Sequence, residues 1–412
     1  MKVRAYKIIY LIWIVILLLE VDFFHLFSFL SEALIDVNTV YNRTLIAALS
    51  LIAFIIAMFY YKKEINDKWF YKYYMALVLF LSVQFIASAF KYDMTLMDYF
   101  MEMRFYLVQF LIYPLVVICK KYGLDKFTKS IFVIVGIEAF LIGLQAILSN
   151  TSGIWFLEGY TRSYIMLYGK TIRLFASPLV AYMVLFVLAK VISRVKVSIF
   201  EAIASIVSLL IILFVHQTRS NIIAILATII IVILFTKLSK RKAILCLILV
   251  VIMAYAINMG VLDEFFATFQ KGDIRYTSTV IRMEEISYFL RQFSDNILLG
   301  IGCIRDNHTA FMKLKYGSQL NYYYSDIGII GDLAKFGISG ILLDAFLIVG
   351  AISSKKNSFL QTEKLSGEKI YFYKTLKFAI IVYLCLSLSI LAYFESERVI
   401  MLCVLCTVLY VI

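Results

Sequence analysis

Apolar runs of about 20 residues recur along the whole chain and constrain its fold more than any other feature. Wound as an α-helix, a run of this length matches the roughly 30 Å hydrocarbon core of a bilayer. Such runs occur near residues 8–30, 44–61, 71–90, 104–119, 127–148, 173–193, 198–217, 220–236, 243–259, 326–352, 376–394 and 398–412. A bilayer leaves no water for unpaired backbone groups, and the period-two alternation of a membrane β-barrel is absent. The runs therefore predict an all-α polytopic membrane protein with about 12 transmembrane helices.

The composition excludes a soluble enzyme. Of 412 residues, 63% are hydrophobic and 16% are charged, whereas soluble domains are about half apolar and about a quarter charged. Apolar runs fill most of the chain, so there is no room for a large soluble domain. We expect residues 1–412 to form a single integral membrane domain.

Positive charge is distributed unevenly between the two sides of the predicted helices. The formal net charge is +13. With the N-terminus placed inside, about 24 of the 40 Lys and Arg residues fall in inner segments and about 8 in the short outer ones. The positive-inside rule then places both termini in the cytoplasm. Topology and anionic membrane lipid account for the charge, so no binding to nucleic acid is expected.

One predicted outer loop, residues 260–325, is long enough for a structure outside the membrane. Within it, residues 278–294 predict an amphipathic helix on the outer membrane surface. A capping helix without a role in chemistry is the alternative. The apolar side comprises Met283, Ile286, Phe289, Leu290 and Phe293, and the polar side comprises Arg282, Glu284, Glu285, Arg291 and Gln292.

Six polar residues, 216–221, stand between two apolar runs at the predicted outer surface. A tight turn needs fewer, and polar residues at a membrane are candidates for function by default. Arg219 at this depth requires an anionic partner, and a phosphate of a lipid-linked substrate fits its planar guanidinium. The alternative is that Arg219 reaches the lipid headgroups as an interface anchor.

A second polar cluster runs from the end of the large loop into the next apolar run. It comprises Gly300, Gly302, Arg305, Asp306, His308, Asn321, Tyr322, Tyr323, Tyr324, Ser325 and Asp326. The glycines that follow, at 328, 331, 337 and 340, predict close packing or a kinked helix. Asp326 is a candidate acceptor for the proton of a sugar hydroxyl, or else a helix cap. His308 is a candidate catalytic residue, or else a solvated loop residue.

No motif for a metal or a cofactor is apparent. The chain has no P-loop, no HExxH and no cluster of metal ligands, and Gly300-x-Gly302 is too short for a dinucleotide fingerprint. Glu20 and Asp22 form an acidic pair that either holds a cation, acts as a base or marks the membrane boundary. The sequence therefore predicts chemistry without a metal or a cofactor.

Three segments resemble motifs of the bacterial O-antigen polymerase and O-antigen ligase superfamily, which are multi-span membrane glycosyltransferases. QTRS at 217–220 looks like the family's T/S-x-R-S element. Arg282 begins the loop helix, as in the family, and DNILLGIG follows at 295–302 with Ile297 where proline is usual. LAKFGISG at 333–340 looks like the family's L-A-x-x-G-I-x-G helix.

The resemblance covers roughly residues 170–345 and the topology as a whole. The position at which ligases carry the family histidine falls near Asp326, in SDIG at 325–328, a form that looks more like the polysaccharide polymerases. The resemblance implies a GT-C-like architecture in the bacterial cytoplasmic (inner) membrane. It also implies a glycosyltransferase that joins undecaprenyl-pyrophosphate-linked repeat units into O-antigen or capsule.

The mechanism implied by the resemblance is glycosyl transfer without a metal. Arg219 and Arg282 would bind the donor's pyrophosphate, on which negative charge grows as it leaves. Asp326, or else His308, would orient or deprotonate the acceptor hydroxyl. Further residues expected to bind substrate are Arg173, Arg305, Tyr323 and Tyr324. The tyrosines either stack on sugar rings or belong to the aromatic belt of the membrane interface.

Donor and acceptor would both be undecaprenyl-pyrophosphate-linked glycans, and a chain-length regulator and a flippase are expected partners. Three other functions stay open. One is an O-antigen ligase, and a second is a glycosyltransferase that uses polyprenyl-phosphate sugars, with Glu20 and Asp22 as catalytic residues. The third is a polysaccharide flippase or transporter, although the sequence shows no internal repeat of the kind that transporters usually carry.

Overall fold

A computed structural model of the chain describes residues 2–26, 37–62, 65, 67–157, 167–168, 171–216, 218–236, 274–304, 308, 310, 313–314, 322–353, 366–388 and 398–412. For a few residues within these ranges, among them Arg219 and Asp326, it describes the backbone but not the side chain.

The described part of the chain is helical almost throughout. Its helices are α1 (Lys2–Glu20), α2 (Val37–Tyr61), α3 (Lys68–Tyr92), α4 (Leu96–Leu107), α5 (Ile112–Tyr122), α6 (Leu124–Ser152), α7 (Leu179–Ile192), α8 (Ile199–Leu210), α9 (Arg219–Phe235), α10 (Ile274–Asp295), α11 (Ile329–Ser353), α12 (Gly367–Leu388) and α13 (Val399–Val411). A two-residue ladder pairs β1 (Leu167–Tyr168) with β2 (Thr171–Ile172) in the antiparallel direction.

Several helix starts are fixed by capping residues. Asp67 accepts a hydrogen bond from the backbone N–H of Trp69 at the start of α3. Ser198 and Glu201 form a reciprocal capping box at the start of α8, and α4 begins with a capping box of the same kind. Such boxes satisfy N–H groups that have no partner within the helix.

Seven helices of the described chain are long and apolar enough to cross a membrane, by length and composition. They are Asn42–Tyr61, Lys68–Tyr92, Leu96–Tyr122, Leu124–Ser152, Ile199–His216, Ile329–Ser353 and Gly367–Ser387. Three further apolar helices are shorter, namely Leu179–Ile192, Ser220–Phe235 and Val399–Val411. The predicted all-α membrane protein is confirmed, but the count of about 12 helices is not. The predicted run 243–259 lies outside the described residues.

Two predicted runs differ from the helices found. The helix predicted over 8–30 ends at Glu20, because Asp22–His25 form a turn with positive φ at every residue. The helix predicted over 173–193 begins only at Leu179, with Pro178 in its N-cap position. At 14 residues, α7 is about 21 Å long and shorter than the hydrocarbon core.

The segment 278–294, predicted as an amphipathic helix, lies within the helix α10, and the buried side of this helix differs from the prediction. Phe289 is buried as expected, whereas Met283 is 66% exposed and Leu290 is 40% exposed. Glu285, predicted on the polar side, is buried instead because it accepts a hydrogen bond from the backbone N–H of Tyr323. The side of α10 that contacts the protein is therefore centred on Glu285 and Phe289.

The core lies where α13 packs against α5 and α11. Every residue of α13 is buried. The Tyr410 ring stacks on Trp69, with ring centroids 5.5 Å apart, and contacts Phe70 at 4.7 Å. Aromatic rings from α3 and α13 thus fill the interior around which the other helices are arranged.

Candidate functional site

The polar turn between α8 and α9 has an unusual backbone. After α8 the chain continues as a π-helix over Ile211–His216. π-Helices are rare in proteins, and those that occur are often found at functional sites. Thr218 is the N-cap residue of α9, and its carbonyl accepts the N–H groups of Asn221 and Ile222. Arg219 is therefore the first residue of a helix whose N-terminus favours anions.

Arg173 is bound directly to this turn. Its Nε donates to the carbonyl oxygen of His216 at 2.8 Å, and its Nη2 donates to the Thr218 hydroxyl at 2.9 Å. The guanidinium also lies 4.8 Å from the centre of the Phe175 ring. Arg173 thus contacts the turn from which Arg219 begins α9, and the threonine of the QTRS segment binds Arg173 instead of capping α9 by its side chain.

The His216 ring lies in the same turn. It meets Phe175 edge to face at a centroid distance of 5.4 Å. In the part of the chain that the structure describes, no group hydrogen-bonds to the buried Nδ1 of His216. A buried polar atom without a partner is destabilising, and such atoms in native structures often await a water or a ligand.

The DNILLGIG segment closes a break in α11. At Gly337 the helix has φ 63° and ψ −159°, so its regular hydrogen bonds are interrupted. The N–H groups of Ile301 and Gly302 donate to the carbonyls of Ala334 and Lys335, each at 2.7 Å. The N–H groups after the break donate back, from Ile338 to Ile297 at 2.9 Å and from Ser339 to Leu298 at 3.1 Å. We call this four-bond arrangement the clasp.

The clasp explains why glycines stand at two of these positions. A Cβ on Gly337 would lie 2.5 Å from the carbonyl oxygen of Ile297, and a Cβ on Gly300 would lie 2.5 Å from the carbonyl carbon of Lys335. Both residues also have positive φ. The kink predicted from the glycines is confirmed, and two of the motifs that carry the family resemblance form one structural unit.

Three polar side chains on one side of α3, none of them predicted as site residues, bind the outer side of the clasp. Gln84 donates to the carbonyl of Leu299 at 3.1 Å, and Tyr92 donates to the carbonyl of Ile301 at 2.9 Å. Ser88 accepts from the N–H of Cys303 at 3.0 Å. The spacing of 84, 88 and 92 places these side chains on one side of the helix, which is the signal that could have identified them.

The tyrosine run 322–324 is bound to α10. The Tyr322 hydroxyl donates to Glu284 at 3.1 Å, and the N–H of Tyr323 donates to Glu285 at 3.2 Å. Arg282, one helical turn before Glu285, is exposed on the same helix. The helix that carries Arg282 and the segment that carries Tyr323 are thus in contact.

Asp326 lies in the 3-10 turn Tyr324–Ile327, directly before α11. The carbonyl of Gly328 accepts the N–H groups of Gly331 and Asp332, so Gly328 and not Asp326 occupies the cap position.

His308 packs beside α3, with its ring 5.3 Å from that of Tyr92. Its Nδ1 accepts a hydrogen bond from the N–H of Ala310 at 3.0 Å. In the neutral imidazole this bond assigns the proton to Nε2, which then donates. The predicted residue Arg305 lies outside the described residues.

A small open pocket lies between α4, the clasp and Tyr324. Its polar lining comes from Glu102 and Lys335, and the Lys335 ammonium stands 4.7 Å above the Tyr324 ring. The volume of about 20 Å³ suits a water molecule but not a sugar ring.

These contacts form two groups. One joins Arg173, His216 and Thr218 around the start of α9, and the other joins α10, the 322–327 segment and the clasp. No potential metal site of three or more His, Cys, Asp or Glu residues is found in the described part.

Comparison with known proteins supports the predicted resemblance. A family model described as O-antigen ligase matches residues 203–344, which is about a third of the chain. The match includes the turn at 216–219, α10, the clasp and Asp326. Over these residues it confirms the predicted resemblance to the O-antigen polymerase and ligase superfamily, and it indicates a transferase-type function in polysaccharide synthesis. A comparison with curated proteins finds no match.

Proposed function

We propose that this protein is a polysaccharide polymerase, which transfers a growing glycan from undecaprenyl pyrophosphate to a second lipid-linked repeat unit. It would act in the bacterial inner membrane, with a GT-C-like architecture and both termini in the cytoplasm. The observation that carries the proposal is the binding of Arg173 to the turn from which Arg219 begins α9. Two arginines at a helix N-terminus form a site suited to a pyrophosphate.

The reaction needs a stabilised leaving group and a proton acceptor. The acceptor hydroxyl oxygen attacks C1 of the donor sugar, the bond from C1 to the phosphate oxygen breaks, and undecaprenyl pyrophosphate leaves. Charge-assisted hydrogen bonds from Arg173, Arg219 and Arg282 would stabilise the negative charge that grows on the leaving oxygen. The exposure of Arg282 on α10 leaves it accessible to a lipid-linked substrate.

Asp326 is the better candidate for the proton acceptor. The bond from Ala310 to Nδ1 of His308 leaves Nε2 as a donor in the neutral imidazole, so neither ring nitrogen is a free acceptor for the hydroxyl hydrogen while that bond is kept. His308 is then suited to hydrogen-bond a sugar oxygen, as are Tyr323 and Tyr324. Asp326 lies in a short turn next to the clasp, where the rigid backbone would fix its position.

An O-antigen ligase is the second candidate, because the matching family model carries that description. The same arginines would serve, with a lipid or protein acceptor in place of a second repeat unit. The contacts of Glu20 and Asp22 argue against their use as catalytic residues. Glu20 is paired with Arg43, and Asp22 accepts from Asn42 at 2.8 Å.

Polymer length in a deletion strain distinguishes the two functions. Glycan from cells that lack the protein would be separated on a ladder gel. We expect single repeat units on the lipid, because no enzyme joins them. Long glycan chains that stay attached to the lipid carrier would instead identify a ligase.

A further inference from the structure

Residues 173–178 join β2 to α7 without regular secondary structure, and their backbone is bound on two sides. The N–H of Leu174 donates to the carbonyl of Val215 at 3.2 Å. The N–H of Ser177 lies 3.1 and 3.3 Å from the two carboxylate oxygens of Glu138. Irregular backbone at membrane depth is tolerated only where protein groups satisfy it, so Glu138 is a fixed anchor of this segment.

Glu138 is an unusual residue for its position. It lies inside the apolar span Leu124–Ser152 and is 2% exposed. Ionisable residues within spans are rare and mark functional positions. A glutamine would also accept the Ser177 N–H, so this hydrogen bond alone does not explain why a carboxylate stands here.

The carboxylate has a cation beside it that is held in place by a strained turn. His25 Nε2 lies 3.7 Å from Glu138, and His25 Nδ1 lies 3.7 Å from Asp22. All four residues from Asp22 to His25 have positive φ, between 44° and 64°. Non-glycine residues adopt this conformation only where their surroundings hold them, and such residues cluster at functional sites.

A second buried carboxylate meets the same serine. The Ser177 hydroxyl donates to Glu20 at 3.3 Å, and Glu20 is paired with Arg43 of α2. Ser177 is therefore held from α1 and from α6, by two carboxylates that each have a cation of their own.

This anchor is close to the arginine that binds the candidate phosphate site. Ser177 lies four residues after Arg173, so the two residues are at most about 14 Å apart even if the chain between them is fully extended. Arg173 is bound at its own end to His216 and Thr218. The segment is thus fixed at both ends, and movement of Ser177 would shift Arg173 relative to the start of α9.

We propose that Glu138 is a positioning residue, which acts through Ser177 to hold Arg173 in place for binding the pyrophosphate of the lipid-linked substrate. This inference rests on the proposed function. Glu138 does not contact the substrate, and the His25 ring, whose Nε2 lies 3.7 Å away, holds its side chain in place. The carboxylate binds the Ser177 N–H more strongly than a neutral acceptor would.

The test is a double-mutant cycle with the full-length protein in a deletion strain, read as polymer yield per amount of protein in the membrane. Arg173→Ala should lower the yield about tenfold and Glu138→Ala about threefold. Because Glu138 acts through Arg173, the double variant should lose no more than Arg173→Ala alone. Glu138→Gln should lower the polymer yield less than Glu138→Ala, since its amide oxygen still accepts the Ser177 N–H. If Glu138→Ala does not accumulate in the membrane, Glu138→Gln takes its place in the double-mutant cycle.

Glu201→Gln is the matched control. Glu201 pairs with Lys190 at 2.6 Å, lies at the start of α8 and, among the described residues, makes no hydrogen bond or ion pair with the 173–178 segment. In the double variant, the fold losses in polymer yield caused by Glu201→Gln and by Arg173→Ala should multiply. If the fold losses of Glu138→Gln and Arg173→Ala multiply in the same way, Glu138 is merely structural and the positioning role is refuted. Full yield from Arg173→Ala alone would instead refute the proposed phosphate site.

Discussion

Gly337→Ala tests the clasp that joins the two family-like segments. Gly337 has φ 63° and ψ −159°, a conformation that essentially only glycine adopts, and a side chain forced into it costs about 1–3 kcal/mol. Its Cβ would also lie 2.5 Å from the carbonyl groups of Ile297 and Leu298. The segments must then separate, which weakens clasp bonds worth about 1 kcal/mol each. Together these effects destabilise the protein by roughly 3 kcal/mol or more.

The assay is thermal unfolding of the purified protein in detergent, together with polymer length in cells. We expect the melting temperature to fall by roughly 5 °C and long polymer to be lost. Gly143→Ala is the matched control, because its Cβ would meet only Val207, at 3.9 Å, in the regular helix α6. This control should be neutral or stabilise by about 0.5–1 kcal/mol. If Gly337→Ala melts as late as Gly143→Ala, the clasp is not a rigid unit.

Two further predictions concern Asp326 and His25. Asp326→Asn should abolish polymer because an amide cannot accept the hydroxyl proton, whereas His308→Ala should only shorten the polymer. If a ladder gel instead shows that His308→Ala abolishes polymer and Asp326→Asn only shortens it, His308 is the base. Burial lowers the pKa of His25, but the carboxylates of Asp22 and Glu138, each 3.7 Å from a ring nitrogen, outweigh burial and raise the pKa to about 9. The resulting stabilisation of about 3 kcal/mol is complete below pH 6.5 and is lost as the pH rises through 9. The melting temperature should therefore fall between pH 6.5 and 9.5 in the wild type and change less in His25→Gln; equal slopes would contradict this assignment.

The helices could be predicted because the length of an apolar run directly reflects the thickness of the bilayer. Their ends could not be predicted where a residue distant in sequence decides them. The run at 173–193 gives no sign that Ser177 binds Glu138, so the late start of α7 was missed. Pro178 was the local signal, since proline is tolerated at a helix start and disfavoured inside a helix.

Residues of the candidate site were predictable when a polar residue stood out against an apolar background. The turn at 216–219 and the glycines before residue 340 were found in this way. Gln84, Ser88 and Tyr92 were not, because uncharged polar residues in a long helix resemble ordinary interior residues. Glu138 carried a signal that was overlooked, namely a single carboxylate within an apolar run.

The side of α10 that faces the protein was predicted from hydropathy alone. On hydropathy, Glu285 was expected on the solvent-exposed side of α10, since a carboxylate is normally exposed. The bond from the Tyr323 N–H reverses this preference, because a buried carboxylate is tolerated when backbone donors satisfy it. A loop that folds back onto a helix cannot be recognised from the period of that helix.

The most direct measurement is the polymer length produced by Arg219→Ala and Arg282→Ala in a deletion strain, at protein levels equal to the wild type. Arg291→Ala is the control, since Arg291 is an exposed arginine on the same helix as Arg282. If arginines bind the pyrophosphate of a lipid-linked glycan, both test variants give single repeat units and the control gives full-length polymer. Full-length polymer from both Arg219→Ala and Arg282→Ala would contradict the proposed function.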